Sequence, residues 1–332
     1  MKPLVSILIP AFNSQAFIAD TVRSALGQTW ERKEIVVVDD GSTDQTLAVA
    51  RQFEANGVTV VNQSNQGAAA ARNKAFSICH GDYIQWLDAD DLLAVDKISR
   101  QMDALGDWSE RRTLLSSAWG HFHYRPTSAD FVPTSLWCDL SPVEWQLRYF
   151  EQGHWMQTAT WLVSRELTEI AGPWDTRLLG DDDGEYFTRV ILASKNIRFV
   201  PEARMFYRRG VGTLGYVGNQ SRKLEAQFLS MQLRIKHLRR AEDSKMVREA
   251  SLKYLQRYLI CFYPERDDIV ERAEQLAADL GGKLEVPRLP WKYSWIKELF
   301  GWTAAKQAQL KYNRIKMSLF RSWDKAMYER GK

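Results

Sequence analysis

Three carboxylates crowd the end of one apolar run, where "DYIQWLDADD" sets Asp88, Asp90 and Asp91 directly behind Trp86 and Leu87. Strand side chains repeat every two residues, so Asp88 and Asp90 share a side, and like charges there repel unless a cation lies between them. Hard oxygen ligands suit Mg²⁺ or Mn²⁺, ions that prefer to complete their shells with substrate phosphates. Asp91 reads as a cap for a helix over "LLAVDKI" or as a group behind the metal pair.

Two further acidic clusters sit at similar places. Asp39 and Asp40 end the run "EIVVVDD"; Gly41 permits a tight turn, and Ser42 with Gln45 matches a capping box for the next helix. Capping does not explain two adjacent carboxylates, so one of them is expected to accept hydrogen bonds from a ligand, such as a base N–H or ribose hydroxyls. In "GPWDTRLLGDDDGEYFTRV", crowding among Asp181, Asp182 and Asp183 raises the pKa of at least one, which suits a general base. The same acids also fit the positive end of a helix from Gly184 to Ala193 without any chemistry.

The elements that position these clusters alternate. "LVSILIP", "EIVVVDD", "VTVVNQ" and "DYIQWLD" read as buried parallel strands, separated by helices in "QAFIADTVRSALGQT", "DQTLAVARQFEAN" and "GAAAARNKAFSIC". That order demands right-handed crossovers and a doubly wound sheet whose ligands bind at the carboxyl ends of the strands, where the acidic clusters fall. Beyond Asp91 the pattern turns α+β: a helix from Ala94 to Leu105, strands at Thr113 to Ser116, Trp119 to Tyr124, "TATWLV", "IRFVP" and "ARMFYRR", then helix almost throughout from Gln220.

Several classes fall away. "PAFNSQ" follows the first strand where a dinucleotide site needs G-x-G-x-x-G, and no G-x-x-x-x-G-K-[ST] occurs. No window approaches the length of a membrane span, and "MKPLVSILIP" reads as a first strand and not a signal peptide. Cys79, Cys138 and Cys261 lack metal-ligand spacing and read as reduced thiols of a cytosolic protein; His121 and His123 have no third ligand, which favours a structural or surface role over zinc.

Charge is unevenly spread. From Lys283 to Lys332 the chain carries 12 Lys/Arg against 4 Asp/Glu, while the formal charge of the whole chain is only +4. In this tail Tyr312, Ile315, Leu319, Trp323 and Met327 recur at helical spacing among lysines and arginines. Two readings stay open: a peripheral contact to an anionic membrane at its inner face, or a helix packed on its own protein. No nucleic-acid reading motif accompanies the charge.

"PAFN" at 10–13, "VDDGSTD" at 38–44, "NQGAAAARN" at 65–73 and "LDADD" at 87–91, in this order and spacing, resemble the family 2 glycosyltransferases of the GT-A fold. The resemblance implies an α/β fold, a GT-A type nucleotide-binding, Rossmann-like mixed sheet flanked by helices, as a catalytic domain over 1–219, with a helical C-terminal region over 220–332. It also implies a nucleotide-diphospho-sugar donor, a divalent metal (Mg²⁺ or Mn²⁺) and inversion at the anomeric carbon, in bacterial cell-surface polysaccharide or glycolipid synthesis with a saccharide or lipid-linked acceptor.

Carried over by position, Pro10 and Phe12 border the nucleobase, Asp40 holds the base or ribose, and Asn65, Gly67 and Arg72 line the donor pocket. Arg72 reads equally well as a solvated helix residue. Asp90 is the direct metal ligand, with Asp88 toward the ribose or a metal-bound water. The family's Glu-Asp pair falls on Asp182 and Asp183, which makes Asp183 the general base for the acceptor hydroxyl; Asp182 stands where Glu is usual, so a register slip among Asp181, Asp182 and Asp183 stays open.

The glycine-bearing "RRGVGTLGYVGN" suggests a lid or a plain connector. "HWMQTATW" offers His154, Trp155 and Gln157 as acceptor-side groups or as core. The absence of spanning helices and of Gln-x-x-Arg-Trp argues against a processive polymerase, and the first loop lacks the glycines and basic residues of a nucleotidyltransferase. A non-catalytic nucleotide-sugar-binding module is the alternative to an enzyme; it would have no use for Asp183.

Overall fold

The computed structural model describes residues 2–209 and 221–330, apart from a few side chains of the last helix. The "RRGVGTLGYVGN" segment beyond Arg209 lies outside the described residues.

The acidic clusters share one edge because of how the first strands pair. β1 (Val5–Ala11), β2 (Lys33–Asp39), β3 (Val58–Asn62) and β4 (Tyr83–Trp86) run parallel in the order β3-β2-β1-β4, and β7 (Val163–Ser164) closes the sheet antiparallel to β4. Ala11 lies opposite Asp39, Asp39 opposite Asn62, and Leu8 opposite Trp86, so the loops that leave all four parallel strands emerge together. The winding reverses between β1 and β4, which opens a crevice at their carboxyl ends. Every residue of β1 is buried, as expected for a strand covered on both faces.

Helices α1 (Ile18–Leu26), α2 (Thr46–Arg51) and α3 (Ala68–Ile78) supply the crossovers. Ile18, Val22 and Ala25 form the buried stripe of α1, and Ala69, Ala71 and Ala75 let α3 approach the sheet closely. A second sheet, β5-β8-β6, joins β5 (Leu92–Leu93), β6 (Thr113–Phe122) and β8 (Asn196–Arg208). Leu92 pairs with Phe206, so β8 runs directly behind the "LDADD" loop. Between these elements lie α4 (Lys97–Ala104), α5 (Pro142–Gln152), α6 (Arg165–Ala171) and α7 (Asp182–Ala193). Then follow α8 (Ser221–Ala241), α9 (Lys245–Phe262), α10 (Asp267–Asp279) and α11 (Ser294–Arg330), the last broken at Gly301, where φ is 83°. Buried side chains of α8, α9 and α10 join the same apolar core as the sheet.

Several local expectations are corrected. No helix starts at Asp91: Leu92 and Leu93 are strand, because β8 supplies an edge to pair with, and α4 begins only at Lys97. The capping box does not form. Ser42 Oγ instead accepts from the Asn13 amide across the crevice, and the Asp44 carboxylate takes the Thr46 amide. Residues 113–122 make one strand and 196–208 another, each continuous past the break read from sequence, with an irregular register between Ser117 and Ala118. In "TATWLV" the first three residues form a 3₁₀ turn. α7 starts at Asp182, two residues before Gly184, which brings Asp183 into its first turn.

The tail packs on its own protein at two points. Lys306 Nζ donates to the Tyr263 carbonyl and to Glu265, both at 2.7 Å, and the buried Asp324 carboxylate accepts from the Tyr124 amide and from Arg125 Nε, both at 2.8 Å. Its other side faces outward: Trp291, Trp295, Leu299, Phe300, Tyr312, Ile315 and Trp323 are all exposed.

Candidate active site

The "LDADD" loop is held from beneath. Thr21 on α1 shares its hydroxyl between the carbonyls of Ala89 and Asp91, each at 2.9 Å. Asp91 is wholly buried; one of its oxygens accepts from the Arg208 amide of β8 at 2.8 Å and the other from Gln157 Nε2 at 3.1 Å. Burial, then the fields of Asp90 and Asp88, push its carboxyl well above the usual range. Asp91 is therefore a strut that ties the loop to β8 and to the 3₁₀ turn, and neither caps a helix nor faces the crevice.

Asp90 differs. No hydrogen bond from another described residue reaches its carboxylate, and burial together with Asp88 pushes it up to about 6, against a lowering by Arg208 and by its own amide. Asp88 uses one oxygen to accept from Arg72 Nη2 at 2.8 Å. The described residues gather no set of three or more His, Cys, Asp or Glu able to hold a metal ion alone. Two carboxylates, one of them without a hydrogen bond from any other described residue, fit a divalent ion that takes its remaining ligands from phosphate and water.

Arg72 is the hinge of the site, and its reading as a solvated helix residue is overturned: it is only 5% exposed. Its Nη1 donates to Asp182 at 2.6 Å while Nη2 donates to Asp88, and the guanidinium lies 4.3 Å from the Trp174 ring centroid. Burial disfavours its charge, but Asp182 and Asp88 outweigh that and hold its pKa above the ordinary value. One planar cation thus spans the metal loop and the start of α7, with its two terminal nitrogens set at two different carboxylates. The next residue completes the joint: Asn73 donates Nδ2 to the Trp174 carbonyl at 2.9 Å and accepts the Trp174 amide at 2.8 Å.

The three consecutive acids of α7 divide their partners. Asp181, in left-handed geometry at φ 54°, accepts from Ser230 Oγ at 2.7 Å and meets Arg234 of α8 at 3.3 Å. Asp182 belongs to Arg72. Among the described residues Asp183 has no cation of its own: its Oδ2 accepts from Thr158 Oγ1 at 3.3 Å and its Oδ1 from the Gly184 amide at 2.9 Å. Burial, with Asp182 and Asp181 beside it, pushes Asp183 up to about 7 despite the pull of Arg72. A carboxylate with that affinity for a proton, lining a cavity, is equipped to act as a base.

On the other side of the crevice, Asp40 is 2% exposed and spends its oxygens on the chain. Oδ1 accepts from Gln63 Nε2 at 2.7 Å and the Gln66 amide at 2.9 Å, and Oδ2 from the Gly67 amide at 2.8 Å. These contacts tie the carboxylate to the loop that carries Asn65 and Gly67. Gly41 is required where it stands, since at φ 70° a Cβ would lie 2.8 Å from the Asn65 nitrogen. Asn65 and Phe12 are exposed at the crevice and Pro10 is buried at the end of β1.

Sequence reasoning missed Asn73, Trp174, Thr158 and Tyr207. The hydroxyl of Tyr207, on β8 beside the metal loop, is pushed up by burial and then by Asp91, Asp90, Asp88 and Asp183. Its position immediately before Arg208 in "FYRR" carries no local signal for that role.

Against known proteins, residues 6–110 match the model of glycosyl transferase family 2. The likeness to that family rests on this segment. Over 103 residues this chain is 44% identical to chondroitin synthase of Escherichia coli, covering 30% of this chain and 15% of that protein. Over 100 residues it is 43% identical to an Escherichia coli protein described as UDP-Glc:alpha-D-GlcNAc-diphosphoundecaprenol beta-1,3-glucosyltransferase WfaP, 30% of this chain and 40% of that one. The matched segment thus spans less than half the length of these relatives. S. aureus TarS residues 1–349, solved with UDP-GlcNAc, superposes with a TM-score of 0.67 over 83% of this chain and 81% of that chain at 17% identity, so beyond the matched segment the GT-A fold continues.

Proposed function

We propose that the chain is an inverting, metal-dependent glycosyltransferase that moves a sugar from a nucleotide-diphosphate donor to an acceptor hydroxyl in bacterial cell-surface polysaccharide or glycolipid synthesis. The observation that carries this reading is the Arg72 bridge, which fixes the D-x-D loop and the segment bearing Asp183 on either side of one crevice. The relatives' printed activities support the donor and acceptor classes.

The acceptor oxygen attacks the anomeric carbon, the bond from that carbon to the diphosphate oxygen breaks, and the hydroxyl proton passes to Asp183. Asp90 and Asp88 would hold a divalent cation, which supplies charge neutralisation to the departing diphosphate. Thr158 orients the base, and Arg72 keeps Asp182 and Asp88 from repelling one another. Asp40 shapes the loop of Asn65 and Gly67 against the donor, with Pro10 and Phe12 beside the base. A non-catalytic binding module would leave the buried, proton-avid Asp183 without a task.

The test is thermal stabilisation by UDP-, GDP-, CMP- and dTDP-sugars with and without Mn²⁺, because only ligands of the native state raise the melting temperature. One donor series is expected to shift it in a Mn²⁺-dependent way. No shift from any of them would remove the donor reading.

The acceptor reading also places the chain at a membrane face. No described helix is long and apolar enough to cross a bilayer. Trp291, Trp295 and Leu299 recur every four residues with Phe300 beside them, all 58% exposed or more, among Arg288, Lys292 and Lys297. An aromatic, basic stripe of this kind docks in the headgroup region of anionic lipid. The full chain should pellet with phosphatidylglycerol vesicles at low salt, less at high salt, and lose most of that binding on joint Trp295→Ala and Phe300→Ala substitution. Equal binding to neutral phosphatidylcholine vesicles would contradict it.

A further inference from the structure

Beside Asp183 a cavity of about 250 Å³ opens between α5, α7, α8, α9 and the segment that precedes the 3₁₀ turn. Asp183 stands in its lining, and Trp145, Trp161, Tyr149 and Tyr258 supply much of the wall. We propose that this cavity is a subsite for one neutral sugar ring of the acceptor, with Trp155 as its stacking face. The inference rests on the reading of Asp183 as the base and goes on to the class of group that the base faces.

Size sets the first limit. Pockets that enclose drug-sized ligands run to several hundred Å³, so this one takes a single ring and not an oligosaccharide. Charge sets the second. Asp181 and Arg234, both in the lining, neutralise each other at 3.3 Å, so apart from Asp183 the cavity offers an ion pair. A carboxylate and a guanidinium together accept from and donate to vicinal hydroxyls, whereas an anionic ring would meet Asp183 and Asp181, and a cationic one Arg234. Cation–π contact at 4.2 Å to Tyr149 keeps Arg234 in place.

Trp155 carries the strongest part of the argument. Most large aromatic residues of this wall are buried, yet Trp155 is 39% exposed. It is nonetheless braced: its ring centroid lies 4.5 Å from Trp119 and 5.8 Å from Tyr207, the latter edge-on at 86°. A rigid indole with an open face binds the C–H face of a pyranose at little entropic cost. Tyr207 in turn lies on β8 between Phe206, which pairs with Leu92, and Arg208, whose amide donates to Asp91, so the platform is continuous with the donor side of the crevice. Arg234 and Tyr258 come from α8 and α9, which makes the helical C-terminal region part of acceptor selection.

The probes are the methyl β-glycosides of glucose, galactose and N-acetylglucosamine, followed by saturation-transfer NMR on the full chain. At least one should bind, about tenfold more weakly in Trp155→Ala and close to normally in Trp155→Phe, which keeps a flat ring. Melting of both variants near the wild-type temperature shows that the change is local. Absence of transfer from all three glycosides, or equal binding in a folded Trp155→Ala chain, overturns the subsite. Asp90→Asn separates the two readings: it should keep glycoside binding while losing Mn²⁺-dependent nucleotide binding. Glycoside failure beside intact nucleotide binding condemns only the subsite, and the converse condemns only the donor reading.

Discussion

Asp183→Asn is expected to lower turnover about 10²- to 10⁴-fold while donor binding stays intact, and at the same time to raise the melting temperature. The stability effect follows from where the proton sits. The folded chain holds the Asp183 carboxyl at about 7 against an ordinary 3.8, so between these values the folded state binds a proton that the unfolded state has released. Stability from this group is therefore full below pH 3.8, declines as pH rises to about 7, and is then level. Asparagine removes that decline, so the variant should melt above the wild type at pH 8 and close to it below the lower value. In the wild type, kcat/KM should rise with pH through about 7 as the base ionises. Near-normal turnover in the variant, or a melting temperature lowered at pH 8, would contradict the assignment.

Arg72→Met is expected to damage both fold and function. Without the guanidinium, Asp88 and Asp182 face each other across a site where neither has another cation in contact among the described residues. Removing one partner of a buried ion pair costs about 3–5 kcal/mol, because the charges left behind are unpaired and desolvated. Denaturant unfolding should show a loss of that order, and nucleotide affinity should fall with it. Adding Asp182→Asn should return part of the stability, since one of the two stranded charges is then gone; the coupling can be read from a double-mutant cycle. Arg72→Lys should recover less than half, since the single ammonium nitrogen does not reproduce the separated Nη1 and Nη2 that meet the two carboxylates. An additive cycle would mean that the bridge does not act as a unit.

The chemistry of the strand ends was legible because it is local. "VVVDDG" and "LDADD" each contain the apolar run, its stop and the acids within ten residues, so alternation alone puts the carboxylates at one edge. What was hidden depends on partners far along the chain. Asp91 looked like a cap because its actual partners, Gln157 and Arg208, lie 66 and 117 residues away. Arg72 looked solvated because Asp182 is 110 residues distant. The division of labour among Asp181, Asp182 and Asp183 could not be read from three identical letters. It is set by Ser230 and Arg234 on one side, Arg72 on the other, and Thr158 between them. The tail's helical period was plain, but the face that packs is marked by Lys306 and Asp324, polar residues that a search for apolar stripes passes over.

At the centre stands the claim that Asp90 holds a metal for a nucleotide donor while its neighbour Asp91 only braces the loop. The most direct measurement is the Mn²⁺-dependent part of the thermal shift caused by each nucleotide sugar in the wild type, Asp90→Asn and Asp91→Asn. The Mn²⁺-dependent part should vanish in Asp90→Asn at an unchanged starting melting temperature or higher, and persist in Asp91→Asn. A full Mn²⁺-dependent shift in Asp90→Asn would contradict the claim.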